Sequence, residues 1–214
     1  MRVDDLFPPE VIEEDIRKML GGAAMSAAIL ASPNVAKAPT GPSDDISPKE
    51  AQVLAQTIWG EARSHGEAGM RAVGHVIKNR AEAKRPRLFG SGIIGVATKD
   101  WQFSCWNRND PNRERMEKMV ELDKQIRMAV SPDGSPFEEW YEKFLKTGEG
   151  REYKAWIEAK RIARGILAGR SSDPTEGALF YHTTDVTPKW SRVMEPSGQI
   201  NNHIFYKGPE RKPN

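Results

Sequence analysis

The amino-acid sequence predicts an α+β fold, mostly helical, with a small β-hairpin sheet near the C-terminus. Three observations predict it. Apolar residues recur at helical spacing behind helix-capping residues through 47–83 and again through 152–168. Strand propensity is confined to two late segments, 178–184 and 200–206. A hydrophobic fraction of 38% against 29% charged residues, over 214 residues, suits one domain with a sizeable core plus an appendage.

Taken in order, residues 1–46 are the appendage. Met1 to Lys18 is acidic, Met19 to Ala31 is small and apolar, and Pro33 to Pro48 reads as a linker rich in Pro, Ser and Gly. The apolar run is too short to span a bilayer as a helix. Three readings stand side by side: a cleaved secretory signal ending near Ala38, an uncleaved anchor or docking helix that contacts a membrane, or a mobile arm. The catalytic domain is expected at 47–208, with 209–214 as a tail.

Ser47-Pro48-Lys49-Glu50 combines a capping serine, a proline at the first helical position and a glutamate three residues on, so a helix starts there. Ala51, Leu54, Ala55 and Ile58 give it a buried face. Ser64-His65-Gly66-Glu67 repeats the capping-box pattern and opens a second helix carrying Ala72, Val73, Val76, Ile77 and Arg80. Lys84-Arg85-Pro86-Arg87 ends that pattern, and one short helical turn is expected at 93–96. Residues 107–149 read as a charged excursion, with a turn at 131–136, and the stripe Trp156, Ala159, Ile162, Ala163, Ile166 marks a core helix over 152–168. Two strands joined by a long loop close the chain.

Glu61 falls at the junction of the first two helices. A carboxyl beside Ile58 and Trp59 loses hydration, which disfavours its charged form and suits it to act as a general acid. On spacing alone, an exposed last-turn glutamate is the better fit. In Trp101-Gln102-Phe103-Ser104-Cys105-Trp106, aromatics alternate with hydrogen-bonding side chains, as a carbohydrate groove requires, whereas each tryptophan taken singly reads as core. Cys105 is the one cysteine and reads as a buried structural thiol.

Several classes find no support. The balance of 32 basic and 30 acidic residues makes no strong field and supplies no argument for a nucleic-acid partner. The chain has no HExxH, no paired cysteines, no phosphate-binding glycine loop and no GxSxG elbow, so neither metal nor cofactor is expected.

Five stretches together resemble the cell wall hydrolases of the spore-cortex-lytic (SleB/CwlJ) type: Trp59-Gly60-Glu61-Ala62-Arg63, Gly69 to Arg80, Gln102-Phe103-Ser104, Gly177 to His182, and His203-Ile204-Phe205-Tyr206. They span about residues 50–207 in the family's order. The resemblance implies a lysozyme-like domain, monomeric, that cleaves the peptidoglycan glycan strand between N-acetylmuramic acid and N-acetylglucosamine as a lytic transglycosylase. Glu61 would be its acid/base, with Tyr181 beside it as catalytic. By family position, Gln102, Ser104, Thr175 and His182 are expected to bind substrate, while His203 reads as structural. The alternatives are an amidase or peptidase of the wall, or a non-catalytic wall-binding or virion protein. The substrate lies outside the cytoplasmic membrane, so the protein is expected to be exported, carried by a phage particle or released at lysis.

Overall fold

A computed structural model of the chain describes residues 46–129 and 137–208, and the segment 1–45, the turn expected at 131–136 and the tail 209–214 lie outside them. Seven α-helices and three strands are described: α1 (Pro48–Ala62), α2 (Gly66–Glu82), α3 (Pro86–Phe89), α4 (Gly92–Ala97), α5 (Pro111–Ala129), α6 (Phe137–Phe144), α7 (Gly148–Leu167), β1 (Phe180–Thr183), β2 (Pro196–Ile200) and β3 (His203–Tyr206). The expected mostly helical α+β class is what is observed.

Helix α1 is central. Its start is the expected one, with Ser47 accepting from the Glu50 N–H at 3.4 Å and Pro48 in the first turn. Val53, Leu54, Ile58 and Trp59 are buried in the main core, and α2, α4, α5 and α7 all pack on this helix. Helix α2 crosses α1 and α7 at Gly74, where an added Cβ would lie 2.5 Å from Ile166 Cδ1 and 2.8 Å from Ile58 Cδ1. A side chain there would require both isoleucine ends to move aside.

The second capping box does not form. Ser64 lies within a 3-10 turn, Arg63–His65, and α2 begins at Gly66 without a side-chain cap. Glu67 instead pairs with Arg161 of α7 at 2.9 Å. The chain is interrupted after Ala62 as expected, but by a tight turn that uses Gly66 at φ 63°.

Within 107–149, the described helices are part of the core rather than an excursion. Met116, Met119, Ile126 and Phe144 belong to the main core, and α7 begins at Gly148, capped by Thr147, which accepts from the Gly150 N–H at 2.9 Å. Asp123 of α5 is buried and takes both oxygens to Lys160 Nζ (2.8 and 2.7 Å), one of them also to Arg127 at 2.8 Å and the other to the Tyr153 hydroxyl at 3.2 Å. This ion cluster fastens α5 to α7. The segment reads as charged because its helix shows a wide polar face and hides a narrow apolar one.

The sheet has one strand more than expected. Its order is β1-β3-β2, all antiparallel, with Tyr181 opposite Phe205 and His182 opposite Ile204. β2 lies in what reads as the loop, and Pro196 with an irregular register at Gly198 hides its strand character. One face of the sheet, with Phe205 and Tyr181, packs on Ala72 and Val76 of α2, bringing β1 alongside the end of α1.

Candidate active site

Glu61 occupies the last turn of α1 and is partly exposed. Its Oε1 accepts from the Cys105 backbone N–H at 2.9 Å and from Ser104 Oγ at 3.2 Å. Both donors come from the 3-10 turn Ser104–Trp106, which presses directly on α1. Gly60 makes that approach possible: a Cβ there would stand 2.6 Å from Cys105 Cβ and 2.9 Å from Met116 Sδ. The glycine before the glutamate is therefore what lets a backbone donor reach the carboxylate. One turn back, Thr57 Oγ1 accepts from Trp106 Nε1 at 2.9 Å and donates to Val53 O, so the 104–106 turn is tied to α1 at two successive positions.

Tyr181 reaches the same place from β1. Burial, then the charge of Glu61, raises its hydroxyl pKa well above the ordinary value; Arg80 opposes this, and a hydrogen bond with Glu61 adds to it. The hydroxyl therefore stays protonated and serves as a donor. Behind it lies Arg80, 7% exposed, at the C-terminal end of α2. Its Nε donates to Leu179 O at 2.7 Å, its Nη1 donates to Gln102 Oε1 at 3.0 Å, and the rings of Phe89, Phe103 and Phe180 surround its guanidinium at 5.2–5.9 Å. Burial lowers its pKa, and the charges of Tyr181 and Glu61 raise it. An arginine remains charged in such a setting. One buried cation thus fixes both the entry to β1 and the 102–106 segment.

Of the residues expected from sequence, Glu61, Tyr181, Gln102 and Ser104 come together. Gln102 serves there as a partner of Arg80, and Ser104 as a donor to Glu61. Thr175 and His182 do not join them. Thr175 is buried in the turn after Pro174, where its N–H and Oγ1 both donate to Asp173 Oδ1 (2.8 and 2.7 Å). Asp173 also accepts from Asn79 Nδ2 and the Gly177 N–H; burial disfavours its charge, but these hydrogen bonds outweigh that and hold its pKa below the ordinary value. His182 alternates onto the other face of β1 from Tyr181, where it is hydrogen-bonded to the Tyr206 hydroxyl (2.9 Å) and the Thr183 carbonyl (2.8 Å) and packs on Trp190. Strand alternation alone separates the two neighbours.

His203 is buried as expected of a structural histidine, edge-on to His65 and Tyr181 at ring distances of 4.7 and 5.1 Å. Burial, with the nearby His65 and His182, lowers its pKa to about 4. Cys105 is buried, and burial with the adjacent Glu61 raises its thiol far above the usual range, which removes it as a nucleophile. Arg80 is the site residue that helical spacing alone places in an ordinary stripe. Its signal was there: an arginine seven residues after Val73 falls on the core side of α2, where a cation needs partners.

Two solved structures resemble the chain. The catalytic domain of the germination-specific lytic transglycosylase SleB from Bacillus anthracis is 23% identical, with 77% of this chain and 99% of that one covered and a TM-score of 0.47. The catalytic domain of the Bacillus cereus SleB protein is 22% identical, with 80% and 100% covered and a TM-score of 0.44. No curated protein matches the chain. The family model described as cell wall hydrolase matches residues 64–206, a span that begins just after Glu61 and includes Arg80, Gln102, Ser104 and Tyr181. With more than half of its length matched by that model, the chain belongs to the cell wall hydrolase family, enzymes that act on peptidoglycan outside the cytoplasmic membrane.

Proposed function

We propose that residues 47–208 form a lytic transglycosylase that cuts the glycan strand of peptidoglycan between N-acetylmuramic acid and N-acetylglucosamine, with Glu61 as its acid and base. The observation that carries this reading is the Glu61 carboxylate, open to solvent on one side and held on the other by Cys105 N–H and Ser104, with the Tyr181 hydroxyl alongside. Hydrolytic glycosidases ordinarily use two carboxylates flanking the bond. The nearby Asp110, whose charge reaches Cys105, accepts from the Asn112 N–H at 2.8 Å at the start of α5, and this reading gives it no proton to transfer.

One carboxyl suffices for a reaction without water. Protonated Glu61 gives its proton to the glycosidic oxygen as the C1–O bond breaks and the electron pair leaves with that oxygen. The carboxylate then takes the proton of the C6 hydroxyl of the same muramyl unit while O6 bonds to C1, which forms the 1,6-anhydro product and returns Glu61 to its starting state. Tyr181 orients the carboxyl through its O–H, and Arg80 holds β1 and the 102–106 segment in register around it. In this reading Gln102 and Ser104 shape the site through Arg80 and Glu61, and Thr175 and His182 support its scaffold.

Mass spectrometry of the products from purified peptidoglycan tests the reaction. Anhydromuramic ends are expected. Reducing sugar ends would replace the transglycosylase with a hydrolase, free stem peptides would replace it with an amidase or peptidase, and unchanged polymer would point to a wall-binding or virion protein without activity.

A further inference from the structure

Trp101 is not explained by packing. Its indole is 87% exposed, the highest value among the large apolar side chains described, and its backbone stands at φ 64°. A bulky residue rarely adopts that left-handed conformation, and it persists only where the surroundings impose it. Here they do: the Gln102 N–H donates to Lys99 O at 3.1 Å, the Gln102 side chain is held by Arg80, and Phe103 is buried. The turn is fastened to the core on its far side and holds the indole out.

The indole borders a groove of about 650 Å³ shared with Trp106, Asn107, Arg108 and Asn109. This groove adjoins the candidate active site through Trp106, which bonds Thr57 of α1, while Cys105 just before it bonds Glu61 one turn further along the same helix. Amides and a guanidinium beside a flat apolar ring match the chemistry of a sugar, whose ring has a C–H face for stacking and hydroxyl and acetamido edges for hydrogen bonds. A second protein or a membrane surface would call for a contiguous apolar patch, and apart from Trp106 and Pro111 the other side chains of this groove are polar.

We infer that this groove is a glycan subsite beyond the cleaved bond, in which Trp101 stacks one sugar ring of the substrate strand. The inference rests on the peptidoglycan-cleaving reading above. It is tested by binding, so the two can fail separately. The full chain carrying Glu61→Gln, in which cutting is expected to be slow enough to measure binding, is titrated by calorimetry with peptide-free glycan strands prepared from peptidoglycan, with and without changes at Trp101. Trp101→Ala is expected to weaken binding about tenfold, the loss of one aromatic contact, and Trp101→Tyr to recover most of it. Melting temperatures of the three proteins should agree, since the indole is exposed. Strand binding of equal affinity with alanine at 101 would overturn the subsite, as would an absence of strand binding in all three. Product analysis of the wild-type chain bears on the transglycosylase reading independently of either outcome.

Discussion

Gly60→Ala is the perturbation that the geometry resolves best. The new methyl would stand 2.6 Å from Cys105 Cβ, 2.9 Å from Met116 Sδ and 3.0 Å from Cys105 Sγ. Carbon atoms pack at about 3.5–4.0 Å, so the 104–106 turn must retreat by roughly 1 Å. The Cys105 N–H now sits 2.9 Å from Glu61 Oε1, and a retreat of that size leaves no hydrogen bond. Overpacking costs about 1–3 kcal/mol and the better helix propensity of alanine returns about 1 kcal/mol, so stability should fall by about 0–2 kcal/mol. Activity should fall much further, by about 100-fold, because a misplacement of about 1 Å at a reacting group is that costly. Clearing of a peptidoglycan suspension measures the activity and thermal melting by circular dichroism measures the stability. Cys105→Gly in the same chain removes the atom that clashes and should restore part of the activity, a coupling that a double-mutant cycle isolates. A Gly60→Ala protein with wild-type activity and a raised melting temperature would show that helix propensity governs this position, and the close approach would then have no role in holding Glu61.

Two further predictions concern the groups around the site. Arg80→Met leaves the Leu179 carbonyl and the Gln102 amide oxygen without their donor inside an aromatic cage; a loss of about 2–3 kcal/mol in urea unfolding is expected, and an unchanged midpoint would contradict the role given to this cation. Burial depresses the His203 pKa to about 4, below the ordinary histidine value of about 6.5, so the unfolded chain takes up a proton first as the pH falls. Its contribution to stability is present above pH 6.5 and is lost towards pH 4, by up to about 3 kcal/mol. Urea unfolding of wild type and His203→Phe at pH 7 and pH 4.5 should show the smaller acid loss in the variant, and equal losses would remove His203 from the acid response.

Much of the fold was legible because it rests on local signals. Ser47-Pro48-Lys49-Glu50 starts α1 where a capping box dictates, and the stripe from Trp156 to Ile166 lies inside α7. What was not legible depends on contacts between distant residues. Met116, Met119 and Ile126 are sparse among charges in α5 and look apolar only once α7 is laid against them. β2 has a proline at its start and a glycine inside, and its pairing with β3 makes it a strand. The site divides the same way. Glu61, Tyr181, Gln102 and Ser104 converge, whereas His182, adjacent to Tyr181, is turned away by strand alternation that its sequence position does not reveal. Arg80 needed the fold before its partners were visible, since Leu179 lies 99 residues away. Trp101 and Trp106, each of which reads singly as core, differ in the structure: the first is exposed and the second is packed against α1.

Glu61→Gln tests the central claim most directly. The amide keeps the size of the side chain and still accepts through its carbonyl oxygen from Cys105 and Ser104, but it has no acidic proton to give. Peptidoglycan clearing by the purified variant, with circular dichroism as the control for folding, should be slower by roughly two or more orders of magnitude. A folded Glu61→Gln protein that clears peptidoglycan at the wild-type rate would contradict the assignment of this carboxyl as the acid and base.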